Sequence, residues 1–410
     1  MTDQNLANYR WLTSPEALAQ FDWLKTALPL SPNQFARLRD KIGAQRATIL
    51  VAQMALKQRA IEKFPQSQQL FFTELGLQQS TDMAIATFKA AQLRRDYPAV
   101  THVTDLCCGI GGDLMALAHY FDATGVEIDP ITAWIAEHNA NVTKTSGTVK
   151  LQALDVDNAD LESTDWVHLD PDRRADGQRH TALEGCWPPP SFIEMLLKRN
   201  RLGKHGLSIK LAPATQIPKH WYSEMACCQW IQSRGECRQQ LVTFSTHRQP
   251  RTTQAVGIAS DGTAEWIFSI AQDKLHGSSS VALTKTCQTY IYEPAPAIRA
   301  AGLSNSWAHQ YKLDGIHRRF NYYTSNAQLS PTGGSRFRVV EEMAFDRKQI
   351  KQWLRVRHIG QLEIKKQGLP FSPSELRKHL QPRGNNRITL IILGETHSNE
   401  RAIAVMAERE

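Results

Sequence analysis

Two short runs of this 410-residue sequence carry residue types that do chemistry. The first is Asp105-Leu106-Cys107-Cys108-Gly109-Ile110-Gly111-Gly112-Asp113, and the second is Asp170-Pro171-Asp172-Arg173-Arg174. The first reads as the end of a strand, a glycine turn and the start of a helix. Glycines let such a turn adopt positive φ and pass close to a ligand. The dinucleotide fingerprint G-x-G-x-x-G needs a third glycine where this chain has Leu114. The turn therefore suits a nucleoside cofactor with no pyrophosphate.

S-adenosylmethionine (SAM) fits that description. Its ammonium group needs an acceptor, which Asp105 supplies, while Cys107, Gly109, Gly111, Gly112 and Asp113 form the cradle. Its ribose needs an acid at the end of the next strand, where Glu127 stands with Ile128 beside it. Its adenine needs a polar group after the third strand, the place of Asp155 and Val156. No metal site is expected, because the seven cysteines contain no C-x-x-C.

The second run ends the fourth strand. Ligands of open parallel sheets sit outside the carboxyl ends of the strands, so this run faces the reactive methyl group. Asp170, which also borders the cofactor, is the candidate acceptor for a substrate amine. Asp172 is a candidate general base. Arg173 or Arg174 is a candidate for gripping a phosphate or carboxylate bidentately. The plainer alternative is a capped strand end with Arg173 paired to Asp170. Downstream, Cys186 would imply pyrimidine C5 chemistry if nucleophilic, but no base accompanies it. Trp187 is a candidate for base stacking or for packing. Lys210 and Pro213 border the substrate in the same picture, and Lys63-Phe64 and Gln78 to Thr81 are candidates for a lid.

The elements that must position these residues alternate from Val100 onward, which predicts a parallel α/β sheet. Strands are expected at His102–Leu106, Ala123–Ile128, Val149–Leu154, Asp165–Leu169 and Gly206–Leu211. Leu241–Phe244 and Glu265–Ile270 are expected to close the sheet as an antiparallel pair. Residues 1–98 read as helical, with Ser14-Pro15-Glu16 and Ser31-Pro32 as helix starts. The expected domains are a helical region 1–98, a cofactor-binding core 99–275, a connection 276–330 and an α+β domain 331–410.

From Ser335 to Glu410 there are 15 Lys+Arg against 9 Asp+Glu, an excess of six within a whole-chain charge of +8. That distribution favours a polyanionic partner such as RNA, and the plainer alternative is a solvated surface with ordinary charge imbalance. No apolar run approaches the roughly 18 residues of a membrane span, and the N-terminal residues lack a secretory pattern. A reducing cytoplasm is the expected compartment.

The run Val103 to Asp113, with Val126-Glu127-Ile128-Asp129-Pro130, resembles class I methyltransferases, nearest the trimethylguanosine synthase group. Nearly the whole chain is similar to a bacterial methyltransferase family with a helical N-terminal region and a THUMP-like C-terminal domain. That likeness rests on Lys63-Phe64, Phe72-Thr73, Asp105 to Asp113, Leu169 to Arg174 and Gly360-Gln361-Leu362-Glu363-Ile364-Lys365-Lys366-Gln367-Gly368. The resemblance implies a Rossmann-like class I methyltransferase sheet, SAM as cofactor and, because THUMP domains bind RNA, an RNA substrate. Amino-directed nucleic-acid methylases carry D/N/S-P-P followed by an aromatic residue. Asp170 and Pro171 carry over here, whereas Asp172 and Arg173 replace the second proline and the aromatic. Two other functions fit the same residues: a methyltransferase for a small molecule or protein, and a non-catalytic RNA-binding protein with a relic SAM fold.

Overall fold

A computed structural model describes residues 2–144, 147–172, 182–198, 203–223, 225–246, 251–275, 281–284, 286–394 and 402–410. The chain forms two compact units: residues 1–234, 238–251 and 258–265, and residues 235–237, 252–257 and 266–410.

The first unit begins with α1 (Thr2–Trp11), α2 (Pro15–Ala27), α3 (Pro32–Ile42), α4 (Ala44–Ala60), α5 (Glu74–Gln79) and α6 (Met83–Asp96). Ser14 caps α2 through the Ala17 amide, and Ser31 forms a capping box with Gln34 on α3. Both caps satisfy amides that the first helical turn leaves unpaired. The parallel strands follow: β1 (His102–Leu106), β2 (Asp122–Glu127), β3 (Val149–Ala153), β4 (Trp166–Leu169) and β5 (Gly206–Leu211). Helices α7 (Gly112–Tyr120), α8 (Pro130–Thr143) and α9 (Pro190–Lys198) lie between them in sequence. Two further strands are β6 (Met225–Ser233) and β7 (Glu236–Ser245), and the strand order is β3-β2-β1-β4-β5-β7-β6.

β1 pairs in parallel with both β2 and β4, so Leu106, Val126 and Leu169 stand level. The segments after β1, β2, β3 and β4 therefore emerge at one edge. β7 runs antiparallel to β5, with Ser208 opposite Thr243. The expected pairing of Leu241–Phe244 with Glu265–Ile270 does not form, because β7 lies between β5 and β6. The strands β8 (Thr252–Ile258) and β9 (Ala264–Ala271) pair with each other instead. β6 and β8 hold Cys-Cys, Gln and Thr-rich sequence, which hid them from the hydrophobic pattern.

The N-terminal helices share one apolar core with α7 and α8. Leu12, Leu24, Leu50, Phe64 and Phe72 cluster with Ile110, Leu114, Ile135 and Ala136. Two buried amides fix the chain entering α5. Asn139 on α8 donates to the Phe71 and Ile110 carbonyls and accepts from the Phe71 amide, at 2.9, 3.0 and 2.9 Å. Gln53 on α4 exchanges a similar pair of bonds with Phe72. Buried backbone groups need such partners where no helix or ladder supplies them. The result places Thr73 to Thr81 against the loop after β1.

The second unit carries β10 (Tyr290–Pro294), β11 (Asp314–Gly315), β12 (Tyr323–Ser325), β13 (Gly334–Ala344), β14 (Ile359–Gln367), β15 (Asn386–Leu393) and β16 (Ile403–Arg409) in the order β11-β12-β10-β13-β16-β15-β14. Helices Arg347–Val356 and Pro373–Leu380 cover it through Ile350, Leu354, Leu376 and Leu380, which meet Leu390 and Ile392. Among the described residues no helix is long and apolar enough to cross a membrane.

Candidate cofactor and acceptor site

A cavity of about 360 Å³ opens at the carboxyl edge of the first unit's parallel strands. That volume lies in the ~300–1,000 Å³ range of small-molecule sites. Its walls are Asp105 and the loop after β1, Glu127 to Asp129 after β2, Asp155 and Val156 after β3, and Asp170 to Asp172 after β4. Lys210 of β5 and residues 78–81 complete it. The structure thus brings together Asp105, Cys107, Gly109, Gly112, Asp113, Glu127, Ile128, Asp155, Val156, Asp170, Pro171 and Asp172. Gly111 lies within the loop without lining the cavity. Arg173 and Arg174 fall outside the described residues.

Asp105 is 1% exposed, and among the described residues neither carboxyl oxygen has a hydrogen-bond partner. Burial, then the nearby Asp113 and Asp170 carboxylates, push its pKa well above the usual carboxylate range. An unpaired buried acid is costly, and a cationic ligand in the cavity would relieve it. The ammonium of SAM has that charge, so Asp105 fits the cofactor expected from the sequence.

Glu127 accepts from the Gly109 amide at 3.1 Å and the Asp129 amide at 3.0 Å. Each oxygen uses one lone pair this way, which orients the carboxylate and leaves acceptor capacity for ribose hydroxyls. Burial raises its pKa. Ile128, 59% exposed, offers an apolar flank beside it. Asp155 caps a short turn by accepting from the Asp157 amide, and Val156 is buried next to it.

Asp113 has a different set of partners. Its carboxylate takes Lys89 of α6 at 2.6 Å and the Thr81 hydroxyl at 2.6 Å, with His168 Nε2 at 3.4 Å. Burial opposes its ionisation, but Lys89 and His168 overcome that and hold the carboxyl well below its usual range. Burial, and then Lys89, lower the pKa of His168. The glycines also divide in role. A Cβ on Gly112 would lie 3.0 Å from the Thr81 nitrogen, and one on Gly111 3.3 Å from the Ala136 backbone. Gly109, at φ +55°, meets nothing within 4 Å and faces open space.

On the acceptor side, Asp170 Oδ2 accepts from Lys210 Nζ at 2.6 Å. Lys210 also reaches the Gln79 carbonyl at 3.4 Å. Gln79 in turn donates to Asp172 Oδ1 at 2.9 Å. Asp172 and Trp187 form an isolated antiparallel bridge, with amide-to-carbonyl bonds of 2.7 and 2.8 Å. Cys186 is buried and does not line the cavity, and no cluster that could hold a metal occurs among the described residues. The lid candidates divide: Gln78 to Thr81 form a wall, while Lys63 sits behind them, donating to the Leu77 carbonyl. Sequence reasoning missed Thr73, Leu75 and Gly76 as cavity residues. The Thr73 cap on Gly76 was their one local signal.

Residues 334–409 match the THUMP domain-like family. A Mycobacterium tuberculosis protein named as an uncharacterised S-adenosylmethionine-dependent methyltransferase is 26% identical over 373 residues, covering 87% of this chain and 94% of its own. The crystal structure of a protein from Porphyromonas gingivalis W83, assigned as a methyltransferase, superposes with a TM-score of 0.77 at 23% identity, covering 96% of this chain and 98% of that one. That likeness establishes the fold over nearly the full length.

Proposed function

We propose that this chain, a SAM-dependent methyltransferase of class I fold with a THUMP-like C-terminal domain, transfers its methyl group to RNA. The observation that carries the reading is the single cavity that unites the cofactor loops with Asp170, Pro171 and Asp172. When bound, SAM supplies an electrophilic methyl group on a sulfonium. Asp105 takes the ammonium, Glu127 the ribose, and Asp155 the adenine amine. Asp170, held by Lys210, accepts a hydrogen bond from the acceptor amine and so directs its lone pair. Asp172, exposed at the cavity's side, takes up the proton that leaves.

RNA is supported by the THUMP-like match and by charge. Arg347, Lys348, Lys351 and Arg355 are exposed on one helix of the second unit. Phosphate contacts of that kind release counterions, so affinity should fall steeply with salt. The test is transfer of radiolabelled methyl from SAM to fractionated cell extract. Label in the RNA fraction supports the reading, and label confined to protein or small molecules contradicts it.

A further inference from the structure

The run Asp170-Pro171-Asp172 holds an amine acceptor and a base, but no surface for a flat substrate. Among the described residues that line the cavity, Trp187 is the one aromatic side chain. It is 44% exposed, whereas Trp166, Trp221 and Trp307 are fully buried. Leaving that much indole in water is unfavourable, because tryptophan is among the largest apolar surfaces a chain can bury. Its backbone is nonetheless held. The backbone bridge to Asp172 sets it beside the acceptor run, and Gln79 anchors Asp172 from the opposite wall. An exposed indole on the wall of the cavity that Asp170 also lines, carried on backbone bonded to Asp172, suits stacking by a planar heteroaromatic amine.

We infer that Trp187 is the platform on which the acceptor nucleobase stacks, supplied from outside the Asp170 run by the Asp172–Trp187 bridge. The inference rests on the RNA reading above and narrows it. A base that stacks on Trp187 must have a free face, so the substrate position is unpaired or turned out of a helix. Trp187 is a binding residue in this account, and Asp170 remains the group that meets the amine.

The test uses the full-length protein saturated with S-adenosylhomocysteine and fluorescein-labelled single-stranded 12-mers of each base. An abasic ribose-phosphate 12-mer serves as control. Stacking on one aromatic contributes enough for Trp187→Ala to weaken base-bearing oligomers by roughly 5- to 100-fold. The abasic control and S-adenosylhomocysteine affinity should change less than about twofold, and Trp187→Phe should recover most of the loss, since it keeps a π face. Equal weakening of base-bearing and abasic oligomers, no weakening, or a lost cofactor affinity overturns the inference while leaving the RNA reading in place. If the wild-type protein binds no oligomer, the RNA reading fails and the inference falls with it.

Discussion

Lys210 Nζ and Asp170 Oδ2 are 2.6 Å apart, joining the carboxyl ends of two adjacent parallel strands. The Lys210 side chain is 10% exposed and Asp170 28%. Removing the acid therefore strands a mostly buried ammonium as well as removing the proposed acceptor for a substrate amine. Asp170→Ala is expected to abolish transfer and destabilise the protein by about 1–3 kcal/mol, below the range for fully buried pairs because Asp170 is partly wet. The double variant Asp170→Ala with Lys210→Met should regain stability but no activity. Thermal unfolding and methyl transfer measured on both variants separate the two roles, and activity in either variant would remove Asp170 from the chemistry.

Asp105 yields a prediction with a definite sign. Its folded pKa lies above its unfolded value, so the folded state holds a proton that the unfolded state releases. Stability from this group is full below the unfolded pKa and is lost as pH rises through the folded pKa. Asp105→Asn should therefore stabilise the ligand-free protein at pH 7–8, while weakening SAM by about tenfold or more through loss of the charge partner. Calorimetry of wild type in buffers of differing ionisation enthalpy should show proton release on SAM binding. A lower melting temperature for Asp105→Asn without ligand would contradict this account.

The residues behind that prediction were legible in the sequence because they follow strand ends. Asp105, Glu127, Asp155 and Asp170 each stand at or just past a strand whose hydrophobic pattern is local. His102–Leu106 and Gly206–Leu211 match the structure to the residue. Of the far wall, Gln78 to Thr81 stood out as lid candidates, while Thr73, Leu75 and Gly76 did not. Thr73 to Thr81 reach the cavity only because Asn139 and Gln53 clamp residues 71–72, across separations of 68 and 19 residues. Trp187 reaches Asp172 through backbone bonds that carry no side-chain signature. Asp113 looked like a ligand residue from its place in the glycine run. Its partners Lys89 and His168 come from helix and strand positions that sequence spacing does not connect.

The glycines separate packing from ligand approach. Gly112→Ala drives a Cβ against the backbone at Thr81, and should lower both stability and SAM affinity. Gly109→Ala has open space and carries only the cost of a left-handed residue, about 1–2 kcal/mol. It should weaken SAM, whose approach that space accommodates, with a smaller fall in melting temperature. Equal losses of stability in the two variants would count against the assignment.

The Lys89–Asp113 pair ties α6 to the start of α7 with both side chains under 10% exposed. Lys89→Ala leaves a buried carboxylate with only Thr81 and His168 beside it, and should cost about 3–5 kcal/mol. Asp113 has a depressed pKa, so its contribution is present above the usual carboxylate range and is lost as pH falls. Chemical denaturation of both proteins at pH 7 checks the cost of breaking the pair, and wild type followed to lower pH should begin to lose the Asp113 contribution only below about pH 4.

Mass spectrometry of nucleosides from total RNA of a deletion strain, its parent, and the deletion strain carrying Asp170→Ala tests the proposed methyl transfer from SAM to RNA. One methylated nucleoside present in the parent should disappear in the deletion and stay absent with the variant. Identical methylated nucleosides in deletion and parent, or full restoration by Asp170→Ala, would contradict it.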